Sequence, residues 1–477
     1  MTIIAQARVG LHDPHDCTDS SDELPILHAV YDTLVRRVGQ DFVPHLAQSW
    51  TVTSDARSWT FHLHDGVQFH DGTPCDAQAV ADCLERMARQ DRGYTLGAPA
   101  VWRQFLGGAD IQVADSVTLV VTLSEPMADL LDVLEQGFIV APSALAAFDA
   151  KKYSTQIGSG PYRIETIAED RITATRVDRH FAGVPANRTI TWQRVPDPEE
   201  RLALLKSSAV QIANGLDFEA SHVLGDQRHE YLSPVAIIYL LNAAKGPLAD
   251  ARVRRALSVA VDRDAIVRDL MAGAARPLRG FVSPNHFGAG QGEGAQMDRD
   301  LAGALLQEAG FGGGLTLDVD CPTRLPDEAE RLTAALAAQL AEVGIALKVH
   351  IHPEREEYAH MIRRKEIRDL CVFDSSPMST YRILYEKIDS RVAGSWWQGY
   401  SNSEIESLID KGRATTDRHA RAEIWRNTYR LLQDDPAWLT LYNPVRVIGL
   451  QGEHPAFEMP VDGVIDVARL PALETVA

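Results

Sequence analysis

LTLDVDCPTRLPDEAERLTAALAAQLAEVGIALKVHIHPEREEYAHMIRRKEIRDLCVFDSSP, residues 315–377, decides the fold. LTLDVDCPT (315–323) reads as a strand running into a polar end. DEAERLTAALAAQLAEVG (327–344) sets Leu332, Leu336, Leu340 and Val343 at helical spacing, and Gly344 stops the helix. IALKVHIHP is then a strand, EEYAHMIRRKE a helix and DLCVFDSSP a strand. Strand, helix, strand, helix, strand at these lengths predicts a parallel sheet with right-handed crossovers, an α/β fold. Open sheets of this kind bind ligands beyond the carboxyl ends of their strands. Those ends are Asp320–Thr323, His352–Glu354 and Asp374–Ser376, which marks the stretch after Phe373 as a candidate site.

The N-terminal half reads differently. In TVTSD followed by SWTFHLHDG, Trp59, Phe61 and Leu63 alternate with Thr60, His62 and His64, so a strand has one apolar and one polar face. His70 lies beyond, in the turn HDGTP before the helix AQAVADCLERMARQ. Three histidines and two aspartates (Asp65, Asp71) so close together raise the question of a metal. Zinc needs ligands converging from several elements or a fixed i, i+4 helical spacing. This stretch supplies neither, and the solvated strand is the reading adopted. IQVADSVTLVVTLSEP (111–126) predicts a hairpin, and GSGPYRIETIAEDRITATRV (158–177) predicts two strands around Glu169-Asp170.

A chain of 477 residues exceeds what one core supports, about 250–300 residues, so two or more lobes are expected. Its 66 acidic against 47 basic residues give a formal charge of −19, which disfavours nucleic acid and anionic membranes. The five cysteines, Cys17, Cys75, Cys83, Cys321 and Cys371, are scattered without a CxxC. Free thiols are expected, with Cys75–Cys83 as the pair able to meet. No apolar run reaches the ~18–20 residues of a membrane span, and MTIIAQARVGLHDPHDC does not read as a signal peptide. The expectation is therefore an extracytoplasmic protein if an export signal has been removed, and a cytoplasmic one if this N-terminus is native.

Five segments, in order, resemble one family. They are PHLAQSWTVTSDARSWTFHLHDGVQFHDGTPCDAQAVADCLERM, GSGPYRIE, HFAGVPANRTITWQRVPDPEERLALLKSSAVQIA, LLNAAKGPLADARVRRALSVAVDRDAIV, and GYSNSEIESLIDKGRATTDRHARAEIWRNTYRLLQDDPAWLTLY. Together they cover about residues 30–470, and the chain resembles the family 5 solute-binding proteins of peptide, opine and nickel ABC importers. The resemblance implies a bilobed periplasmic-binding-protein clamshell of the large type II class. Lobe I would hold residues 1–235, with an extra subdomain at about 45–165, lobe II residues 236–437, and 438–477 would return to lobe I. It also implies a monomer that captures a peptide-like or opine-like solute for ABC permease subunits, with no cofactor and no catalytic set.

Three groups are candidate ligand contacts. In FDSSPMSTYRIL (373–384), Asp374, Ser375 and Ser376 end an apolar strand, with Tyr381 and Arg382 beyond. Dipeptide binders resemble one another in placing an aspartate near here against a ligand amine, a match of position rather than of a full motif. Arg382 is either a fork for a carboxylate or a surface residue opening the helix YRILYEKI. In SWWQGY (395–400), Trp396 and Trp397 point different ways, one to core and one to ligand. Tyr400 reads as structural, before an N-cap at Ser401 or Asn402. In VWRQF (101–105), Trp102 and Arg103 are carried over from nickel-type relatives with altered spacing.

Two departures argue against chelated nickel. Gly137 precedes FIVAPS where those binders have arginine, and no histidine lies between His360 and His419. A metal–chelator complex is thus the secondary ligand reading. The acidic run Asp13, Asp16, Asp19, Asp22, Glu23 is either a solvated loop or a partner for a cationic ligand. A ligand sensor or an enzyme on the same clamshell is the alternative function, since a fold does not dictate activity. Against an enzyme, GSGPY lacks a nucleophile elbow and GAGQGEG (288–294) lacks the strand and lysine of a phosphate loop.

Overall fold

The computed structural model describes every residue except 17–19, 93–97, 291–293, 295, 325, 376, 377, 379, 381, 455, 456 and 474–477, with backbone only at 98–100. The chain forms two compact units, Met1–Tyr231 with Arg446–Ala477, and Leu232–Val445. The passage back to the first unit at Arg446 lies eight residues beyond the expected 438. The strand Trp438–Leu450 explains this, because residues up to Pro444 still pair inside the second unit.

The second unit is built on a strand with no charged side chain, Ile237–Leu241, whose one hydroxyl, on Tyr239, hydrogen-bonds Thr333 Oγ1 at 2.8 Å. Ile237, Tyr239 and Leu241 enter one core, with the helices Ala251–Ala260, Arg299–Glu308 and Ala329–Ala341. Ile238 and Leu240 enter the other, with Arg355–Arg363, Ser403–Arg413 and Arg418–Asp434. A strand covered on both faces needs apolar residues in succession, not in alternation, which is what IIYLL supplies. Leu370–Asp374 and the first part of Trp438–Leu450 flank it antiparallel. The predicted parallel unit is present: Leu315–Pro322 pairs parallel with Ile345–His352 and with Leu370–Asp374. Leu332, Leu336 and Leu340 are fully buried, and Val343 packs at the margin.

In the first unit Thr2–Gln6 lies parallel to Thr189–Arg194 and to Ile212–Asn214. Arg171–Arg176 and Tyr162–Ile167 extend the sheet antiparallel, and Ile448–Leu450 closes its other side. A separate antiparallel sheet runs in the order Ala47–Val52, Ser58–Leu63, Thr118–Thr122, Asp110–Asp115. Trp59, Phe61 and Leu63 are buried there while His62 is exposed. The helix Ala77–Ala88, capped by Asp76 on the Ala79 N–H, follows the HDGTP turn.

A buried carboxylate ties the first unit together. Asp32 has no solvent access. It accepts from Ser159 Oγ at 2.8 Å, and His45 Nε2 (2.8 Å) and His180 Nε2 (3.2 Å) also reach it. Burial pushes the Asp32 carboxyl up, but the hydrogen bonds from His180 and His45 outweigh it and hold the group well below the usual carboxylate range. The same segment explains GSGPY. A Cβ at Gly158 would stand 2.0 Å from the Val30 carbonyl oxygen, and one at Gly160 2.7 Å from it. The Cys75 and Cys83 thiols are both free and buried, and burial pushes Cys83 up to about 12.

Gly412 sits on the helix Ser403–Arg413 with its α-carbon against Trp425, where a Cβ would come within 2.2 Å of the indole. Intrinsic propensity favours alanine over glycine in a helix by about 1 kcal/mol. Overpacking a filled core typically costs about 1–3 kcal/mol. Gly412→Ala is therefore expected to lower the urea unfolding midpoint despite its better helix propensity; a raised midpoint would show that Trp425 repacks freely.

Candidate ligand-binding residues

The strand Leu370–Asp374 carries Leu370, Cys371 and Val372 into the two cores, so its carboxyl end delivers Asp374 at a half-buried position opposite Ile237. Ser375 has structural work at that end. Its N–H donates to the Ala236 carbonyl and its Oγ accepts from the Ala236 N–H, each at 2.8 Å. Ser376 and Tyr381 lie outside the described residues.

Arg382 corrects one reading. It is buried, not a surface residue, and opens a π-helical segment, Arg382–Ile388, in which its Nε lies 3.8 Å from Glu386 Oε2. The i, i+4 spacing of a helical turn brings the two together. A guanidinium with an internal carboxylate beside it has less charge to offer an anionic ligand.

Trp396 and Trp397 are both half-buried. Trp396 packs on Phe373 with ring centroids 4.5 Å apart, and Arg363 and Lys387 stand over it at 5.5 and 5.7 Å. Cations over an indole face are attracted by its quadrupole. Trp397 Nε1–H donates to the Tyr400 carbonyl at 2.6 Å, which fixes its ring to the loop. Asn402 is the N-cap of the next helix, accepting from Glu404 and Ile405 N–H. Phe373, Arg363 and Lys387 escaped the sequence reading; only the adjacency of Phe373 to Asp374 signalled any of them.

In the first unit, Trp102 is fully buried and its Nε1–H donates to the His15 carbonyl at 3.0 Å, so its ring belongs to the core and offers no face to a ligand. A Cβ at Gly137 would already lie 3.6 Å from that ring. Arg103 Nη1 donates to the carbonyls of Arg92 (3.1 Å) and Gln90 (3.3 Å), just after the helix Ala77–Ala88. The acidic run is neither solvated throughout nor waiting for a cation. Asp13 is buried between Arg86 and Arg92, Asp16 pairs with Arg92, Asp22 with Arg8 and Glu23 with His12. Asp19 lies outside the described residues. The histidines of the opening stretch go separate ways: His62 to Thr118, His64 onto Phe181 and His70 Nε2 to the Gly160 carbonyl. Among the described residues no three histidine, cysteine or acidic side chains converge to hold a metal.

Solved structures share the fold. HbpA2 from Haemophilus parasuis superimposes with a TM-score of 0.83 at 18% identity, covering 97% of this chain and 98% of that one. AgaA from A. tumefacien R10, in complex with agropinic acid, gives 0.79 at 21% identity, covering 98% and 96%. The fold is that of the periplasmic binding proteins. A family model for the bacterial extracellular solute-binding proteins, family 5, matches residues 41–382, and the chain belongs to that family. Among its relatives, the glutathione-binding protein GsiB of Pectobacterium atrosepticum is 25% identical over 457 residues, covering 90% of this chain and 85% of that protein. The dipeptide-binding protein of Escherichia coli is 26% identical over 456 residues, covering 87% and 85%. The chain is thus a substrate-binding component of the ABC-importer type.

The Asp13 cluster gives a pH prediction. His15 is fully buried, with Nε2–H donating to the Phe138 carbonyl and Nδ1 accepting from Arg86, so both nitrogens are satisfied in the neutral ring. Burial, with help from Arg86 and Arg92 and against Asp13, pulls His15 down to about 3. Burial pushes Asp13 up, but Arg86, His15 and Arg92 outweigh it and hold it at about 2. Both values lie below those of the unfolded chain, about 6.5 and 3.9. Stability is therefore fully present above about pH 6.5. It falls first as the unfolded chain takes up a proton at His15, then again below about pH 4 through Asp13, each by up to about 1.4 kcal/mol per pH unit. Urea unfolding at pH 7 and pH 5 is expected to show a drop that His15→Gln reduces; an unchanged drop would place the sensitivity elsewhere.

Proposed function

We propose that this protein captures a peptide-like solute and hands it to ABC permease subunits outside the cytoplasm, acting by binding alone. The observation that carries this reading is the near full-length similarity to a glutathione-binding and a dipeptide-binding protein. Both names describe small molecules that present an amine, a carboxylate and a peptide bond. The carboxyl end of Leu370–Asp374 supports it, since Asp374 is a carboxylate suited to an ammonium group. The half-buried Phe373–Trp396 pair supplies aromatic surface at the end of the same strand. An opine-like solute shares this chemistry, and AgaA in its agropinic acid complex has the same fold. Among the described residues no helix is long and apolar enough to cross a membrane.

The test is a thermal-shift screen of the whole chain against dipeptides, reduced glutathione, opines and nickel–histidine. A ligand that binds the folded state alone stabilises it by about 2.7 kcal/mol at a hundredfold excess over its Kd. A shift with a dipeptide, glutathione or an opine, and no consumption of the compound, is the expected outcome. A shift with nickel–histidine alone would overturn the ligand class, and consumption of the hit would overturn the binding role.

A second measurement addresses Asp374. Asp374→Ala is expected to weaken the best hit by at least tenfold while leaving the unfolding midpoint nearly unchanged. Equal affinity in the variant would remove Asp374 from the site.

A further inference from the structure

The hairpin of Val35–Val38 and Asp41–Pro44 and the chain around 457–471 line a cavity of about 770 Å³ in the first unit. That lies within the roughly 300–1,000 Å³ typical of small-molecule pockets. Phe457, Met459, Val461 and Val464 give it an apolar wall. Arg36 enters the same cavity, and its Nη2 donates to the carbonyl oxygens of His28 (3.1 Å) and Tyr31 (3.5 Å). Among the described residues, no carboxylate lies within ion-pair distance of Arg36. Its neighbour Arg37 provides the contrast, since Asp132 and Glu135 grip that guanidinium inside the protein. Carbonyl oxygens orient a cation without neutralising it, Asp466, Glu135 and Asp462 act on it only from beyond ion-pair distance, and a desolvated charge with no contacting counterion is costly. Burial pulls Arg36 down to about 10, which leaves it charged at neutral pH.

His28 also lines the cavity, and its buried Nδ1 has no hydrogen-bond partner among the described residues. The surroundings limit the charge of any occupant. Asp466, Glu135 and Asp462 all lie close enough to act on Arg36, and Glu453 and Glu458 are exposed at the lining. A dianion such as a phosphate monoester meets their repulsion, whereas a single negative charge suits Arg36, which, unlike the lining residues Arg37 and Arg469, contacts no carboxylate among the described residues.

We propose that this cavity is a second ligand site that takes a small monocarboxylate with an apolar body. The carboxylate sits on Arg36, and the body lies against Phe457, Met459, Val461 and Val464. The inference stands apart from the peptide-like solute, because it uses none of the residues around Asp374.

The test is calorimetric titration of the full chain with sodium octanoate, with octylammonium chloride and 1-octanol in parallel. Saturable one-site binding of octanoate is expected, with the amine and the alcohol binding at least tenfold more weakly. Arg36→Met should weaken octanoate at least tenfold. Val464→Phe, which keeps Arg36 and fills the cavity, should do the same with the circular dichroism spectrum unchanged. The proposal is overturned by an absence of saturable octanoate binding, by tighter binding of the amine, or by undiminished octanoate affinity in Val464→Phe. The last criterion decides the matter even if Arg36→Met fails to fold.

Discussion

A carboxylate shut away from water stays ionised only if the fold supplies its donors, and Asp32 places that demand on the first unit. Its partners come from three distant segments, at Ser159, His45 and His180. Each brings its own structure with it. Ser159 carries the two glycines that close on Val30, and His45 immediately precedes the four-stranded sheet. His180 brings Phe181, whose ring stacks on His64 at 4.7 Å. One desolvated charge thus sets the spacing of the first helix, the GSGPY segment and the sheet that holds the histidine-rich strand.

The parallel unit of 315–377 was legible because its signals are local. Leu332, Leu336 and Leu340 repeat at helical spacing, and all three are buried. The alternation of Trp59, Phe61 and Leu63 was legible for the same reason. Side chains whose partners are remote were not. Trp102 is carried over from nickel-type relatives, and its hydrogen bond to His15 spans 87 positions, which no local pattern signals. The acidic run looked solvent-facing because Arg86 and Arg92 come from beyond the next sheet. Arg382 gave a clearer cue that was available in the sequence: Glu386 lies four residues on, the spacing at which helical side chains meet.

Charge is handled in two ways within this acidic protein. Some buried cations are matched by carboxylates inside the fold, as Arg86 is by Asp13 and Arg254 by Asp435, while Arg263 and Arg421 are held by backbone carbonyl oxygens. Such ion pairs hold segments in place and contribute little net stability once desolvation is counted. Arg363 and Lys387 also stand over the Trp396 ring. There a positive field coexists with aromatic surface.

The central strand Ile237–Leu241 also bears on how the chain is made. Its partners are Leu370–Asp374 and the strand beginning at Trp438, about 130 and about 200 residues later. The sheet of the first unit likewise waits, because Ile212–Asn214 pairs with Ile448–Leu450. The last pairings of both sheets thus wait for the strand Trp438–Leu450, and pairings of such long sequence separation form slowly. A chain of this design completes its central sheets only when residues near its C-terminal end are in place.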